Sequence, residues 1–149
     1  MNLGYAGGDA STANYKAVCT GDTGHVEVAK ISFDTELVDY RRLLEMFWFV
    51  HDPTQLNRQG NDVGTQYRSA IFYHDKEQRA LAEESKRLLS ESGAWSDPIV
   101  TEISALKEFF PAEDYHQNYF ENNRDNQYCQ FVVRPKVDKF KKAFDLLLK

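Results

Sequence analysis

The sequence predicts a mixed α/β (α+β) fold, a two-layer sandwich with helices packed on a mixed sheet, and three observations predict it. Strand-like and helix-like segments alternate along the chain instead of segregating. The 149 residues amount to one domain, long enough to bury a core without disulfide staples. No internal repeat, low-complexity tract or linker divides them, so residues 1–149 read as a single domain. Hydrophobic residues make up 42% and charged residues 28%, which excludes a disordered chain.

The elements follow in order. Met1 to Leu3 read as the tail of a strand entering Gly4-Tyr5-Ala6-Gly7-Gly8, where three glycines in five positions mark a turn or a backbone held close to something. A polar stretch runs to Gly24. His25 to Phe33 alternates as a strand with Glu27, Ala29, Ile31 and Phe33 on one face, and β-branched residues on both faces suggest an interior strand. Asp39 caps a helix over Tyr40 to Val50 whose buried stripe is Leu43, Leu44, Phe47 and Trp48. Pro53 ends that region by disfavouring helical geometry at Asp52.

Thr54 to Gln66 is polar and without periodicity, a loop long enough to suggest function. Tyr67 to His74 reads as a strand. Asp75 with Gln78 resembles a capping box for a helix reaching Ser92 and stopped by Gly93. Pro98 to Ser104 is a further strand, Ala112 to Asn122 a short aromatic helix, Gln127 to Val133 a fifth strand, and Pro135 starts a last amphipathic helix.

Charge and composition exclude several classes of function. Eighteen basic residues against 23 acidic ones give a net charge of −5 with no basic block, which argues against nucleic-acid binding. The apolar runs Met46 to Val50 and Leu146 to Leu148 are too short to span a membrane. Two cysteines form no disulfide framework, and the N-terminus has no signal-peptide pattern, so a reducing, cytoplasmic location is expected. The four histidines, His25, His51, His74 and His116, lie at no metal-ligating spacing, so no metal site is expected.

Chemistry concentrates in two segments. His51 to Tyr67 supplies amide, carboxylate, guanidinium and phenol groups able to fix one another by hydrogen bonds. Tyr15 to Glu27 contains Cys19 and Thr23-Gly24-His25-Val26-Glu27. By alternation Glu27 either shares an apolar face, where desolvation raises its pKa and makes it a proton donor, or points into water at a strand end. Tyr5, Tyr15 and Tyr67 are neutral donors at the candidate sites. Cys19 lies in a loop-like stretch, and Cys129 in an apolar strand where a thiol is an inert hydrophobe.

Together the segments resemble the A-type peptide methionine sulfoxide reductases. The resemblance rests on Gly4-Tyr5-Ala6-Gly7-Gly8, on Tyr15 and Cys19, and on Thr23 to Glu27. It continues through Phe47-Trp48, His51 to Gln55, Arg58 to Ser69, Phe110, Ala112 to Gln117 and Tyr119, in order along essentially the whole chain. It implies that a cysteine thiolate attacks the sulfur of a methionine S-sulfoxide, free or within an oxidised protein. A neutral glutamate and phenols hold and protonate the oxygen, and a sulfenic acid remains on the enzyme. A second thiol then forms a disulfide that thioredoxin, or a small dithiol, reduces, so no bound cofactor is implied. Carried over by position, Glu27 is the proton donor, Tyr15 and Tyr67 bind the oxygen, and Asp62 organises the site. Cys129 stands at or near a resolving position that some members use.

One family feature is missing from the 149 residues. The family's nucleophile lies in a Gly-Cys-Phe-Trp segment where its first strand enters its first helix, and no Cys-Phe-Trp run occurs here. The expectation is a domain without the family's first strand and helix, inactive or nearly so as written, with neighbouring strands short of partners and apolar surface bare. Three explanations compete: a truncated product or mis-assigned start with a longer functional form, which is favoured, a non-catalytic sulfoxide-binding remnant, and Cys19 as a substitute thiol.

Overall fold

The structure, a computed structural model, describes residues 2–113. Strand β1 (Asn2–Ala6) is the centre of a three-stranded antiparallel sheet. It pairs on one side with β2 (Val26–Lys30), placing Tyr5 opposite Glu27, and on the other with β7 (Phe109–Pro111), placing Tyr5 opposite Phe110. The strand therefore runs through Gly4-Tyr5-Ala6, where the sequence suggested a turn or a closely held backbone, and the bend comes at Gly7, whose φ of 102° suits glycine. Gly4 belongs in the strand because a side chain there would meet the Phe109 ring and the Phe110 carbonyl.

Helix α1 (Tyr15–Val18) interrupts the stretch read as polar loop, nucleated by Asn14, whose side chain accepts from the Ala17 amide at 2.9 Å. Strand β2 is shorter than the alternation of His25 to Phe33 suggested, and β1 is its only partner among the described residues.

Helix α2 (Tyr40–Val50) begins where Asp39 accepts from the Arg42 amide at 2.8 Å. Leu44 and Trp48 are buried on its inner stripe, with Leu43 and Phe47 half-buried. The 54–66 segment is not structureless. It holds a tight antiparallel ribbon, β3 (Arg58–Gln59) and β4 (Asp62–Val63), followed by a 3-10 turn over Thr65–Tyr67. Residues that look like a featureless polar loop thus fold by side chain to backbone bonds, which hydropathy does not register.

Strand β5 (Ala70–Tyr73) starts after Tyr67 rather than at it, helix α3 (Lys76–Ser92) crosses back, and β6 (Glu102–Ala105) lies parallel to β5. The capping residues behave as read: Asp75 accepts from the Gln78 amide at 2.8 Å, and Gly93 takes φ 72° past the last turn. Among the described residues the strands form three separate sheets, because no described strand joins the β5–β6 pair to the antiparallel ladder.

Packing of α2 and α3 on β5 and β6 makes the core, with Leu44, Trp48, Ile71, Ala82, Leu89 and Trp95 buried. Each buried leucine contributes about 2 kcal/mol. The one polar edge of the Trp48 ring donates to Ser85 Oγ at 3.2 Å, and Ser85 in turn donates to the Ala82 carbonyl at 3.0 Å. Leu37, Met46, Val50, Leu56 and Val63 remain exposed outside this core. Among the described residues no helix is long and apolar enough to cross a membrane. The aromatic helix beyond Glu113, the strand bearing Cys129 and the last amphipathic helix lie outside the described residues.

Candidate active site

Four segments meet at one end of the β1–β2 ladder. The ladder itself brings Glu27, one residue into β2 and opposite Tyr5. Helix α1 brings Tyr15 at its first position and Cys19 at its C-terminal cap. The β3–β4 ribbon brings Asp62, and the turn behind it brings Tyr67.

The ribbon owes its shape to local chemistry. Asn57 and Gly60 take left-handed backbone (φ 52° and 59°), and the Gly64 amide closes on the Asn57 carbonyl at 2.9 Å. Gln59 is paired twice with the Asp52 backbone, accepting from its amide at 2.9 Å and donating to its carbonyl at 3.0 Å. Gln55 accepts from the Gly60 amide at 2.6 Å. Asp52 itself caps the next turn, accepting from the Thr54 amide at 2.9 Å and the Thr54 hydroxyl at 2.6 Å. Asp62 is therefore carried on a braced arm.

Electrostatically these residues form one cluster. The Tyr67 phenol is pushed up to about 12, first by loss of hydration, then by the charges of Glu27, Asp62, Cys19 and Tyr15. The Glu27 carboxyl is raised above the ordinary carboxylate range, chiefly because surrounding protein atoms displace its water and secondly because Asp62 is acidic too. Glu27 is nevertheless reached by solvent, as are Ala29 and Ile31 on the same strand face, while Val26 is buried. Of the two placements left open for Glu27, the strand face it shares with Ala29 and Ile31 is reached by solvent, and the proximity of Tyr67 and Asp62 accompanies partial desolvation. Tyr15 and Cys19 are exposed, and Cys19 is a free thiol.

The structure brings together Glu27, Tyr67, Asp62, Tyr15 and Cys19. Tyr5 stands apart as a buried strut, its hydroxyl donating to Glu113 Oε2 at 3.2 Å. Cys129 lies outside the described residues. Two residues carry contacts that the sequence gave no way to assign. Glu113 uses its other oxygen to accept from the Tyr15 amide at 3.1 Å, tying the end of β7 to the start of α1. Arg68 spans the Thr65 and Gly24 carbonyls. Neither residue stands out by hydropathy or spacing, because Arg68 reaches the Gly24 carbonyl, and Glu113 the Tyr5 hydroxyl and Tyr15 amide, far away in sequence.

Residues 1–146 match the family described as Peptide methionine sulfoxide reductase. The chain is 54% identical over 140 residues to peptide methionine sulfoxide reductase MsrA of Leptospira borgpetersenii, covering 94% of this chain and 78% of that protein. It is 50% identical over 144 residues to the MsrA of Trichodesmium erythraeum, covering 97% and 81%. The crystal structure of Mxr1 from Saccharomyces cerevisiae in reduced form is similar at 38% identity and a TM-score of 0.70, covering 86% of this chain and 73% of that one. The acidic and phenolic cluster thus sits in a chain that belongs to the peptide methionine sulfoxide reductases, oxidoreductases that return methionine sulfoxide to methionine.

Proposed function

We propose that Glu27, Tyr15, Tyr67 and Asp62 hold and protonate the oxygen of a methionine S-sulfoxide, free or within an oxidised protein. The observation that supports this is the neighbourhood of the Tyr67 phenol, on which Glu27, Asp62, Cys19 and Tyr15 all act. A sulfoxide oxygen is a strong acceptor, and a phenol that keeps its proton to about pH 12 is a donor throughout the physiological range. Glu27, raised by desolvation, is the group that can give its proton as the sulfur–oxygen bond weakens, and Asp62 helps to keep that proton on.

The reaction balances as two electrons. A thiolate attacks the sulfoxide sulfur, methionine leaves reduced, and the thiol retains the oxygen as a sulfenic acid. A further thiol condenses with it, losing water, and the disulfide is reduced by an external dithiol such as thioredoxin in a cytoplasmic setting. The 149 residues contain Cys19 and Cys129 as their only thiols and no Cys-Phe-Trp run. For the chain as written we therefore assign sulfoxide binding with little or no turnover. Cys129 is the candidate resolving thiol and Cys19 the candidate substitute nucleophile.

Titration calorimetry of the 149-residue chain with methionine S-sulfoxide and with methionine tests the binding assignment. Tighter binding of the sulfoxide is expected, and equal affinities refute it. Incubation with the sulfoxide and dithiothreitol tests turnover. Rapid methionine formation that vanishes in Cys19→Ser would instead make Cys19 the nucleophile.

A further inference from the structure

The geometry points to Arg68 as the positioning residue that sets the Tyr67 phenol against the Glu27 carboxyl, by bolting the turn that carries one to the loop that leads into the other. This deepens the assignment of Tyr67 and Glu27 as the oxygen-handling pair and rests on it.

The two residues come from segments 40 positions apart, and no hydrogen bond of the β1–β2 ladder links them. What links them is a set of bonds between the 21–24 loop and the 65–68 turn. Arg68 Nη1 donates to the Thr65 carbonyl at 2.9 Å, inside the turn. Its Nη2 donates to the Gly24 carbonyl at 3.1 Å, three residues before Glu27. Thr65 Oγ1 adds a parallel tie to the Gly21 carbonyl at 2.7 Å.

The guanidinium is suited to this because its fork donates in two directions from one plane, whereas an ammonium is a point charge on a flexible stem. Its third side faces Glu102 on β6, 3.7 Å from Nε, so the side chain is held from behind and is only 19% exposed. The local backbone makes room for it. Gly7 (φ 102°) and Gly24 (φ 78°) approach so closely that a side-chain carbon on Gly7 would lie 3.0 Å from the Gly24 carbonyl and 3.6 Å from Arg68 Nη2. The end of β1, the start of β2 and the phenol-bearing turn thus converge on one side chain.

On the far side of the turn, Ser69 is fixed separately. It bonds His51 Nε2 at 2.7 Å and Thr101 Oγ1 at 2.7 Å. With Arg68 removed, the turn stays attached to the core through Ser69 and keeps the Thr65 tie to the Gly21 carbonyl, but loses the bond to the Gly24 carbonyl, the tie nearer to Glu27. The loss is one of registration between two groups, not of folding.

The test reads Tyr67 directly, in 149-residue Arg68→Met and Arg68→Lys proteins, by NMR titration of ring-labelled tyrosine with the signal assigned through Tyr67→Phe. In the parent chain the phenol is pushed up to about 12. In Arg68→Met we expect it to fall toward its ordinary value of 10, as Glu27 and Asp62 recede and water enters. Simple loss of a nearby positive charge would move it the other way, so the direction separates positioning from charge. Arg68→Lys can reach one carbonyl but not both, and an intermediate fall is expected.

A folded Arg68→Met whose Tyr67 phenol is unmoved, or rises, overturns the proposal. If Arg68→Met does not fold, the same criterion applies to Arg68→Lys. The phenol titration needs no sulfoxide, so failure of the binding assignment shows up separately, as equal affinity of the parent chain for sulfoxide and thioether.

Discussion

The Tyr67 phenol lies close enough to the Glu27 carboxyl for the charge of Glu27 to help keep the phenol protonated, although 40 residues separate them in the chain. Each group keeps its proton to a higher pH than it would in water, Glu27 through lost hydration and the nearby Asp62, Tyr67 through lost hydration and the acidic groups around it. A carboxyl raised above its ordinary value of 4.5 is protonated below the raised value and ionised above it. Sulfoxide affinity is expected to be full in mild acid and to decline as pH rises through the raised pKa. Glu27→Gln, which keeps a neutral donor, should bind without that decline, and Glu27→Ala should bind weakly at every pH. Calorimetry from about pH 4 to pH 8 checks this; a parent chain with a flat profile contradicts it.

Tyr67→Phe removes one hydroxyl and leaves the ring. A net hydrogen bond is worth about 1 kcal/mol, so methionine S-sulfoxide should bind roughly fivefold more weakly. Methionine, with no oxygen to receive the bond, should bind unchanged. An equal loss for both ligands would mean that the ring packs the ligand and the hydroxyl does not hold it.

How much of this was legible in the sequence follows from where the information lies. Helices α2 and α3 appear with their observed bounds because Asp39, Asp75 and Gly93 act locally and the apolar stripes repeat every three to four residues. Glu27, Tyr15, Tyr67 and Asp62 were singled out through family resemblance, and they do share one neighbourhood. Alternation alone left Glu27 undecided between an apolar face and open water, because burial on a strand depends on what covers it, not only on the strand's own pattern. Strand β7 was missed because Phe109-Phe110-Pro111 is too short to alternate and pairs with β1 from more than 100 residues away. Arg68 and Glu113 were invisible as struts for the same reason: their partners are backbone groups brought near by the fold.

His51 predicts an acid-sensitive core. Its Nδ1 lies 2.8 Å from the Phe47 carbonyl, which can only accept, so Nδ1 carries the proton. Its Nε2 then accepts from the Ser69 hydroxyl, and Ser69 Oγ is left to accept from Thr101. Burial lowers the imidazole from 6.5 to about 4, against the opposing pull of the Phe47 bond and the Asp52 charge. The unfolded chain takes up this proton near pH 6.5 and the folded chain does not, so the stability is fully present above 6.5 and is lost as pH falls toward about 4. The gap corresponds to about 3 kcal/mol at most. Urea denaturation at a series of pH values should show this slope, and His51→Gln should flatten it over that window. An unchanged slope in His51→Gln would place the acid sensitivity elsewhere.

Gly4→Ala tests whether the antiparallel sheet depends on the close approach of β1 and β7. At Gly4 an added methyl would meet the Phe110 carbonyl and the Phe109 ring, atoms of the paired strand. Overpacking of this kind costs about 1–3 kcal/mol. The comparison is Gly93→Ala, where φ is 72° but nothing lies within 4 Å, so the cost is backbone strain alone at the helix end. Both substitutions should lower the unfolding midpoint, yet only Gly4→Ala should speed amide exchange across the β1–β7 pair while leaving α3 protected. That local loosening matters for the site, since Glu113 follows β7 and holds the Tyr15 amide at 3.1 Å. Sulfoxide affinity should accordingly drop in Gly4→Ala and hold in Gly93→Ala. Intact exchange protection of Tyr5 and Phe110 in Gly4→Ala would show that β7 can shift aside at little cost, and the link from β7 to Tyr15 would lose its support.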